Sequence, residues 1–376
     1  MSINIIIAGD FCPRRRVAKL IEEKRYGDVF SQVKEITDKA DYSILNFEAP
    51  VVINNAKPIE KTGPNLKCTK NAVEAIKYAG FDSVTLANNH FYDFGDVGVK
   101  DTIDTLKEYT IDYFGGGINI NEAKKTLYKE IEGKKIAFIN FCEREWSIAT
   151  ETTGGSAPLN PIQNHYQIKE AKEKADYVIV IVHGGREHYQ LPLPRMKETY
   201  QFFIDSGADV VVNHHQHCYS GFEIYNGKPI FYGLGNFCFD SMNGKRNKLW
   251  EEGFILKLSI NHKIDFELIP YVQCGENPNV EILDDRLEFD NKIYELNQII
   301  DNVNLLESNF LNQVQKEKSK YFSYLEPIRN RYILALQRRK LFPSFIKNKY
   351  KLLLLNLIRC ESHKDILEET IKSKSK

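Results

Sequence analysis

Three histidines follow a short apolar run, and their side chains could bind a metal ion or move a proton. The β-branched run Val210–Val212 predicts a buried strand, and His214, His215 and His217 come after it. Ligands of open α/β sheets bind beyond the carboxyl ends of the strands. If the chain stays extended, His215 and His217 point to one side and His214 to the other. Two imidazoles that converge at a strand end favour a metal site over hydrogen-bonded loop histidines.

Four more predicted strands end in residues that suit a metal site. Carboxylates supply negative charge and can bridge two ions, whereas imidazole and amide groups complete each coordination sphere at lower charge. One or two divalent ions of the Mn, Fe or Zn class would then support hydrolysis. The residues concerned are Asp10 after Asn4–Ala8, Glu48 after Tyr42–Phe47, Asn89 and His90 after Phe81–Ala87, and His183 after Tyr177–Val182.

The order of the elements predicts a layered α/β fold. In the first half of the chain, strands alternate with helices, such as the helix Thr69–Ala79, which Thr69 could cap. Later strands pair as hairpins, and the turn Asn226-Gly227 gives the strongest hairpin signal. We therefore expect a layered α/β sandwich and not a purely parallel sheet.

The sequence changes character near residue 280. Pro and Gly become rare and the pattern becomes helical and charged, so we expect a domain over 1–280 and a helical basic region over 281–376. From Lys316 to Arg359 the chain carries twelve Lys or Arg against Glu317 and Glu326, interleaved with aromatic residues. This segment could lie on an anionic membrane surface or dock a partner; a packed helical appendage with a solvated basic face is the alternative.

Composition argues against several classes of protein. The 376 residues carry 51 basic and 51 acidic side chains, so no overall field favours nucleic acid, for which no recognition motif is present either. The seven cysteines are widely spaced without a C-x-x-C pair, which favours a reducing compartment over a disulfide framework. No apolar run approaches the ~20 residues of a spanning helix. These features predict a cytoplasmic protein or one peripheral to the membrane.

Six short blocks are spread over the first two thirds of the chain: Gly9-Asp10, Asn46–Glu48, Ala87–His90, His183–Glu187, Asn213–His217 and Gly233–Phe237. In this order they resemble the CapA family, which is linked to capsule and poly-γ-glutamate synthesis. That family belongs to the calcineurin-like metallophosphoesterase superfamily. The resemblance implies an α/β/β/α sandwich with a helical C-terminal extension.

The resemblance also implies roles for the strand-end residues. Glu48 stands where the superfamily usually has a bridging Asp. His90 matches the histidine that acts as a general acid toward the leaving group. The metal ligands implied in this way are Asp10, Glu48, Asn89, His183, His215 and His217.

Further side chains could lie on the substrate side of the site. Glu187 and Asn236 belong to family-specific blocks and are given substrate-side or supporting roles, with plain loop packing as the alternative. Arg14 could face an anionic substrate, or begin a solvated helix. Lys61 and Asn65 lie in a loop that could fold over the site.

The chain departs from the superfamily pattern in several blocks. The superfamily has Asp-x-His where Asp10 is followed by Phe11 and Cys12. A Cys12 thiolate could ligate zinc or iron, and a small buried thiol is the alternative. Gly184 stands where relatives often have Trp, and the smaller residue would widen the pocket. His214 is an additional histidine.

These observations predict a metal-dependent hydrolase. Its substrate would be a phosphoester or an anionic cell-surface polymer of the capsule or poly-γ-glutamate type. The alternative is a non-catalytic assembly or polymer-binding factor for capsule biosynthesis. In that case the site would hold polymer or a structural ion, and the basic region would dock other capsule-synthesis proteins.

Overall fold

Two β-sheets carry most of the chain in the computed structural model, which describes residues 2–241, 247–326 and 330–359. The first sheet has the order β16-β15-β14-β1-β2-β3-β4, and β13 also pairs with β1. Its strands are β1 (Ile3–Phe11), β2 (Tyr42–Phe47), β3 (Ser83–Thr85), β4 (Asp112–Phe114), β13 (Asn236–Cys238), β14 (Glu252–Ile260), β15 (Ile264–Gln273) and β16 (Val280–Ile282).

The second sheet has the order β11-β12-β10-β9-β7-β6. Its strands are β6 (Leu127–Ile131), β7 (Lys134–Cys142), β9 (Tyr177–His183), β10 (Val210–His214), β11 (Phe222–Tyr225) and β12 (Lys228–Phe231). The short strands β5 (Gly116–Gly117) and β8 (Gly155–Ser156) pair separately. In each sheet the central strands run parallel, so their carboxyl ends share one edge.

Helices flank the sheets and extend the C-terminal part of the chain. The first eight are α1 (Arg15–Glu22), α2 (Tyr26–Thr37), α3 (Asn71–Tyr78), α4 (Gly95–Glu108), α5 (Ile120–Ala123), α6 (Pro161–Lys174), α7 (Pro194–Asp205) and α8 (Lys248–Glu251). The last four are α9 (Leu287–Asp301), α10 (Val303–Leu325), α11 (Arg331–Arg338) and α12 (Asn348–Arg359). None of the helices within the described residues combines the length and apolar composition needed to span a membrane.

The alternation of side chains along β1 shows why the fold has four layers. Ile5 and Ile7 lie in the core shared with the second sheet, where the Tyr42 ring stacks on Phe138 at 5.3 Å between centroids. Ile6 and Ala8 point to the opposite face, into the core formed with α1, α2, α3 and α4. Helices α6 and α7 add buried side chains to the core around the second sheet. The predicted α/β/β/α sandwich is confirmed.

Several predicted elements are confirmed and one predicted cap is wrong. The Asn226-Gly227 turn joins β11 to β12, with φ of 50° and 75° at its two residues. The helix predicted from Thr69 begins at Asn71 instead. Thr69 does not cap it, because Lys70 occupies the N-cap position; the Thr69 hydroxyl instead donates to Glu22 on α1 at 2.5 Å.

The chain divides into two compact units, 1–306 and 307–376. The boundary expected near residue 280 falls inside the first unit, because α9 packs on β11 there. The backbone N–H of Phe222 donates to Asn297 Oδ1 at 2.8 Å in this contact. The basic region predicted over 281–376 includes residues 327–329 and 360–376, which lie outside the described part of the chain.

Candidate metal centre

The parallel strands of both sheets deliver polar side chains to one buried point. Asp10 lies on β1, Glu48 directly follows β2, and His183 ends β9. His215 and His217 follow β10, and Asn89 lies in the turn after β3. All of them are buried, although each is polar or charged. Burial of so many polar groups is costly unless each has a partner.

One group of possible ligands consists of Glu48, His183 and His215. His183 Nε2 lies 3.1 Å from His215 Nδ1 and 3.7 Å from Glu48 Oε1. The amide oxygen of Asn89 lies 3.1 Å from the same His183 nitrogen. Two ring nitrogens this close need a proton or a cation between them, because their lone pairs otherwise repel.

A second group consists of Asp10, Glu48 and His217. His217 Nδ1 lies 3.5 Å from Asp10 Oδ2, and its Nε2 lies 3.8 Å from Glu48 Oε1. In each group the candidate ligand atoms lie within 4.8 Å of one another. Ligands bound about 2.1 Å from one ion lie roughly 3.0–3.4 Å apart, so these spacings need only small adjustments.

Glu48 belongs to both groups, and its environment suits a bridging ligand. Its side chain is fully buried, and neither carboxylate oxygen has a hydrogen-bond partner among the described residues. Burial and then the charge of Asp10 raise the pKa of Glu48 well above its usual value. An unpartnered buried carboxylate between two sets of imidazoles fits a site for divalent cations.

The charges within this pocket are strongly coupled. Burial by itself would lower the pKa of His217, but Glu48 and Asp10 raise it to about 10. Burial would raise the pKa of Asp10, but the hydrogen bond from His217 and the charge of His214 lower it. Burial and the neighbouring His215 hold the pKa of His183 well below its usual value. His183 is therefore a neutral imidazole, the form that binds metals.

Asparagine side chains orient the candidate ligands. Asn46 Nδ2 donates to Asp10 Oδ1 at 2.7 Å and lies 3.2 Å from His183 Nδ1. His217 Nδ1 donates to Asn236 Oδ1 at 2.9 Å, and Asn236 Nδ2 donates to the backbone oxygen of His217 at 3.2 Å. These contacts fix the ring of His217 with Nε2 available to an ion, which is how outer groups commonly support ligating histidines.

The backbone of the histidine segment differs from the extended form expected for it. Strand β10 ends at His214, and His215 and His217 have φ of 88° and 55°. Both rings still enter the pocket. They do so because the backbone turns there, and not because side chains alternate along an extended strand. Asn213 holds this turn by donating to the backbone oxygens of Gly184, His214 and Tyr232. The additional histidine, His214, lies with Nδ1 3.6 Å from Asp10 Oδ1.

His90 lies beside the ligand groups within a second set of polar contacts. Its Nδ1 lies 2.7 Å from Asp93 Oδ2. Because an ionised carboxylate only accepts hydrogen bonds, Nδ1 is the donor and Nε2 is the nitrogen left to exchange a proton. Burial lowers the pKa of His90, although Asp93 partly opposes this effect. Asp93 also pairs with Lys61, whose loop therefore does fold against this part of the site.

The remaining predicted side chains lie around this centre. Burial would raise the pKa of Glu187, but His217, His215 and His188 lower it, which places its carboxylate in the field of the ligand histidines. Arg14 precedes α1 and its charge acts on the Cys12 thiol. Burial and the charge of Glu48 nevertheless raise the pKa of Cys12 well above its usual value. This favours a protonated thiol at Cys12, the alternative to a metal ligand.

Two residues near the centre were missed by the sequence analysis. Glu145 follows β7, with Oε1 3.7 Å from His215 Nε2 and Oε2 3.4 Å from Asn89 Nδ2. The Trp250 ring packs on His217 at 4.9 Å between centroids, and its indole N–H donates to the backbone oxygen of Phe239 at 2.7 Å. Glu145 comes shortly after the apolar run Ile136–Phe141, which is typical of a buried strand, so this local pattern could have pointed to it. Trp250 reaches the site only through tertiary packing.

The sequence of the chain is similar to those of known bacterial capsule synthesis proteins. The family model described as bacterial capsule synthesis protein PGA_cap matches residues 4–241. The capsule biosynthesis protein CapA of Bacillus anthracis is 37% identical over 248 residues, which cover 63% of this chain and 60% of that protein. The PGA biosynthesis protein CapA of Bacillus subtilis (strain 168) is 36% identical over 242 residues, 63% of either chain.

The chain thus spans somewhat less than two thirds of the length of these two relatives. Among solved structures, a 5′-nucleotidase precursor from Thermus thermophilus aligns with a TM-score of 0.44 at 9% identity, over 79% of this chain and 59% of that one. The family match contains all six blocks and every candidate ligand. The chain belongs to the bacterial capsule synthesis protein PGA_cap family.

Proposed function

We propose that this chain is a metal-dependent hydrolase with a two-ion site. The observation that carries the proposal is Glu48, a buried carboxylate without a hydrogen-bond partner among the described residues that belongs to both ligand groups. Asp10 and His217 would hold one ion with Glu48, and His183 and His215 would hold the other. Asn89 would complete the coordination of this second ion through its amide oxygen, which lies 3.1 Å from His183 Nε2. Mn, Fe and Zn all accept this mixture of ligands.

The proposed chemistry is hydrolysis at a phosphoester. Bound divalent ions supply Lewis-acid polarisation of a phosphoryl oxygen. The chain itself orients the reacting groups: Asn46 and Asn236 fix ligand side chains, and Asp93 holds His90 through Nδ1. We propose that the imidazolium form of His90, which carries a second proton on Nε2, hands that proton to the leaving-group oxygen while its Nδ1 proton stays with Asp93. Glu187 and Arg14 are proposed to contact the substrate side.

The family membership supports a substrate related to an anionic cell-surface polymer. The names of the two Bacillus relatives refer to capsule and PGA biosynthesis. We propose that the substrate is such a polymer or a phosphorylated precursor of it, and that capsule-synthesis proteins are partners. The polymer and a phosphoester share the negative charge that a site with two divalent ions attracts.

The first experiment measures turnover and metal content together. Protein purified without chelators is assayed with p-nitrophenyl phosphate and bis(p-nitrophenyl) phosphate, with and without added Mn²⁺. Glu48→Gln keeps the shape but removes the charge, so we expect metal affinity to fall by at least about tenfold and turnover to fall with it. Exposed Glu130 provides the matched control, because Glu130→Gln should change neither quantity.

The alternative function is a non-catalytic assembly or polymer-binding factor. It is favoured by the names of the Bacillus relatives, which refer to biosynthesis and not to hydrolysis. Under this alternative the wild-type protein binds its ions but turns over neither substrate with any divalent metal. Turnover that depends on metal and is lost in Glu48→Gln, but not in Glu130→Gln, contradicts the alternative.

A further inference from the structure

Lys61 has a buried side chain although it belongs to the long connection between β2 and α3. Its side chain is 2% exposed, and its ammonium group pairs with Asp93. The same nitrogen lies 3.1 Å from His90 Nδ1. Burying two opposite charges costs desolvation energy, and an apolar pair of similar volume is often equally stable. Stability alone is therefore a weak reason for an ion pair at this place.

Asp93 links Lys61 to His90. Its Oδ1 accepts from Lys61, and its Oδ2 accepts from His90 Nδ1 at 2.7 Å and from the backbone N–H of Leu66 at 2.6 Å. The backbone oxygen of Asp93 accepts from Ile59 N–H at 3.0 Å. The carboxylate is thus fixed at both oxygens, with one of them assigned to the imidazole.

We propose that Lys61 is a positioning residue that acts on His90 through Asp93. By occupying Oδ1, the ammonium group keeps the carboxylate from rotating and so holds Oδ2 against His90 Nδ1. The imidazole then keeps one tautomer and one orientation, with Nε2 left for proton transfer. The catalytic consequence rests on the proposed hydrolase function, whereas the effect on the His90 ring does not.

The kinetic test compares substrates with different leaving groups. Lys61→Met frees Asp93 Oδ1. The carboxylate can then rotate, so the His90 imidazolium should be aligned less often to pass its Nε2 proton to the leaving group. Phenyl phosphate needs that proton more than p-nitrophenyl phosphate does. We expect kcat for phenyl phosphate to fall on the order of tenfold further than kcat for p-nitrophenyl phosphate, with KM and metal content little changed. Lys61→Arg keeps a positive charge at this position, so it should recover part of the kcat that Lys61→Met loses with phenyl phosphate.

Lys67 provides the matched control in the same connection. Its ammonium group lies over the Phe94 ring, 5.5 Å from the centroid, and its side chain is exposed. Lys67→Met should leave the ratio of the two kcat values unchanged. An equal loss with both substrates in Lys61→Met would overturn the proposal, because a purely structural defect does not discriminate between leaving groups.

A spectroscopic test gives a result without any turnover. In protein with ¹⁵N-labelled histidine, the neutral form of wild-type His90 should show a protonated Nδ1 and an unprotonated Nε2, because Nε2 carries a proton only in the imidazolium. Asp93→Asn should reverse this tautomer, since an amide can donate to Nδ1. Lys61→Met should give a mixture, and Lys61→Arg should return the wild-type pattern. A wild-type His90 signal in Lys61→Met overturns the proposal, whereas absent turnover in the wild type counts only against the hydrolase function.

Discussion

The charges of the proposed ligand side chains bear on which substrates would suit the centre. Two divalent ions bring four positive charges, whereas the carboxylates of Asp10 and Glu48 bring only two negative ones. The histidines are neutral when they bind metal. The ions would therefore keep an excess of positive charge over their own ligands, which the nearby carboxylates of Glu145 and Glu187 offset only from outside the ligand set, in a buried pocket where charges are weakly screened. This excess favours an anionic group such as a phosphoester over a neutral amide.

Metal binding should release protons from the empty site near neutral pH. The pKa of His217 is raised to about 10 and that of Glu48 is raised as well, so the metal-free pocket holds at least one proton at pH 7. A bound ion must displace this proton. We therefore expect apparent affinity for Mn²⁺ to weaken as pH falls, by about tenfold per pH unit for each proton released.

Calorimetry in buffers with different ionisation enthalpies measures this release. The observed binding enthalpy should vary linearly with the ionisation enthalpy of the buffer. The sign of the slope should show that the buffer takes up protons when Mn²⁺ binds. His262 is exposed in the turn between β14 and β15, so His262→Gln serves as the control and should keep the wild-type slope. An enthalpy that is the same in every buffer contradicts the protonation state inferred for His217 and Glu48.

Local sequence patterns predicted some residues of the site and missed others for a physical reason. Glu48 and His183 stand at the ends of apolar strands, so a local pattern places them at the sheet edge. Asn46 lies within β2, and the pattern of apolar and polar residues in this strand does not indicate its contact with Asp10. Asp93 is three positions after His90 in a turn, and its pairing with Lys61 depends on how a distant loop folds.

Among the elements, the contact between β1 and β13 positions the group that contains Asp10, Glu48 and His217. The backbone N–H of Asp10 donates to the oxygen of Gly235 at 3.2 Å, and Asp10 lies opposite Asn236 in the register. The two backbone segments approach so closely that a Cβ on Gly9 would lie 2.0 Å from the Gly235 oxygen. Glycine at position 9 therefore permits the pairing that brings Asn236 to His217.

Gly9→Ala should destabilise the protein and loosen the site. The added methyl group forces the strands apart, so we expect the free energy of unfolding to fall by about 1–3 kcal/mol, as in other overpacked cores. Thermal unfolding measures this loss, and metal titration should show weaker binding. Gly27→Ala is the control: in helix α2, its Cβ would meet only the Tyr78 hydroxyl at 3.1 Å. Equal melting temperatures for Gly9→Ala and the wild type contradict this account.

Helix α12 combines exposed leucines with lysines, a combination that is relevant to the predicted membrane or partner contact of the basic region. Among the described residues, Leu352 is 67% exposed and Leu353 51% exposed, and lysines 347, 349 and 351 lie beside them. Residues 327–359 contain no acidic side chain. Nucleic acid or an anionic polymer would match the charge but not the leucines. An anionic lipid surface matches both features.

We therefore expect the full chain to associate with vesicles that contain phosphatidylglycerol and not with vesicles of phosphatidylcholine alone. Leu352→Glu combined with Leu353→Glu should reduce sedimentation with the anionic vesicles several-fold, since it removes apolar contact and adds negative charge. Leu311→Glu on α10 is the control, because Leu311 is also exposed. Equal sedimentation of the double variant and the wild type would show that α12 does not mediate membrane contact.

For the whole molecule, the fold was more predictable than the details of the site. Alternating strands and helices, followed by hairpins, predicted the layered sandwich, because side-chain periodicity is a local property of each element. The turn of the histidine segment was not predictable in this way. His215 and His217 adopt left-handed backbone angles that depend on the hydrogen bonds of Asn213. Such non-local constraints appear only once the sheets are assembled.

The positions of bound ions in the wild-type protein decide whether Glu48 bridges two metals. Crystals grown with Mn²⁺ and without chelators, measured for anomalous scattering, should show two peaks on either side of Glu48. One peak should lie within bonding distance of Asp10 and His217, and the other within bonding distance of His183 and His215. The absence of any peak within bonding distance of Glu48 at saturating Mn²⁺ would contradict the metal centre and the hydrolysis proposed for it.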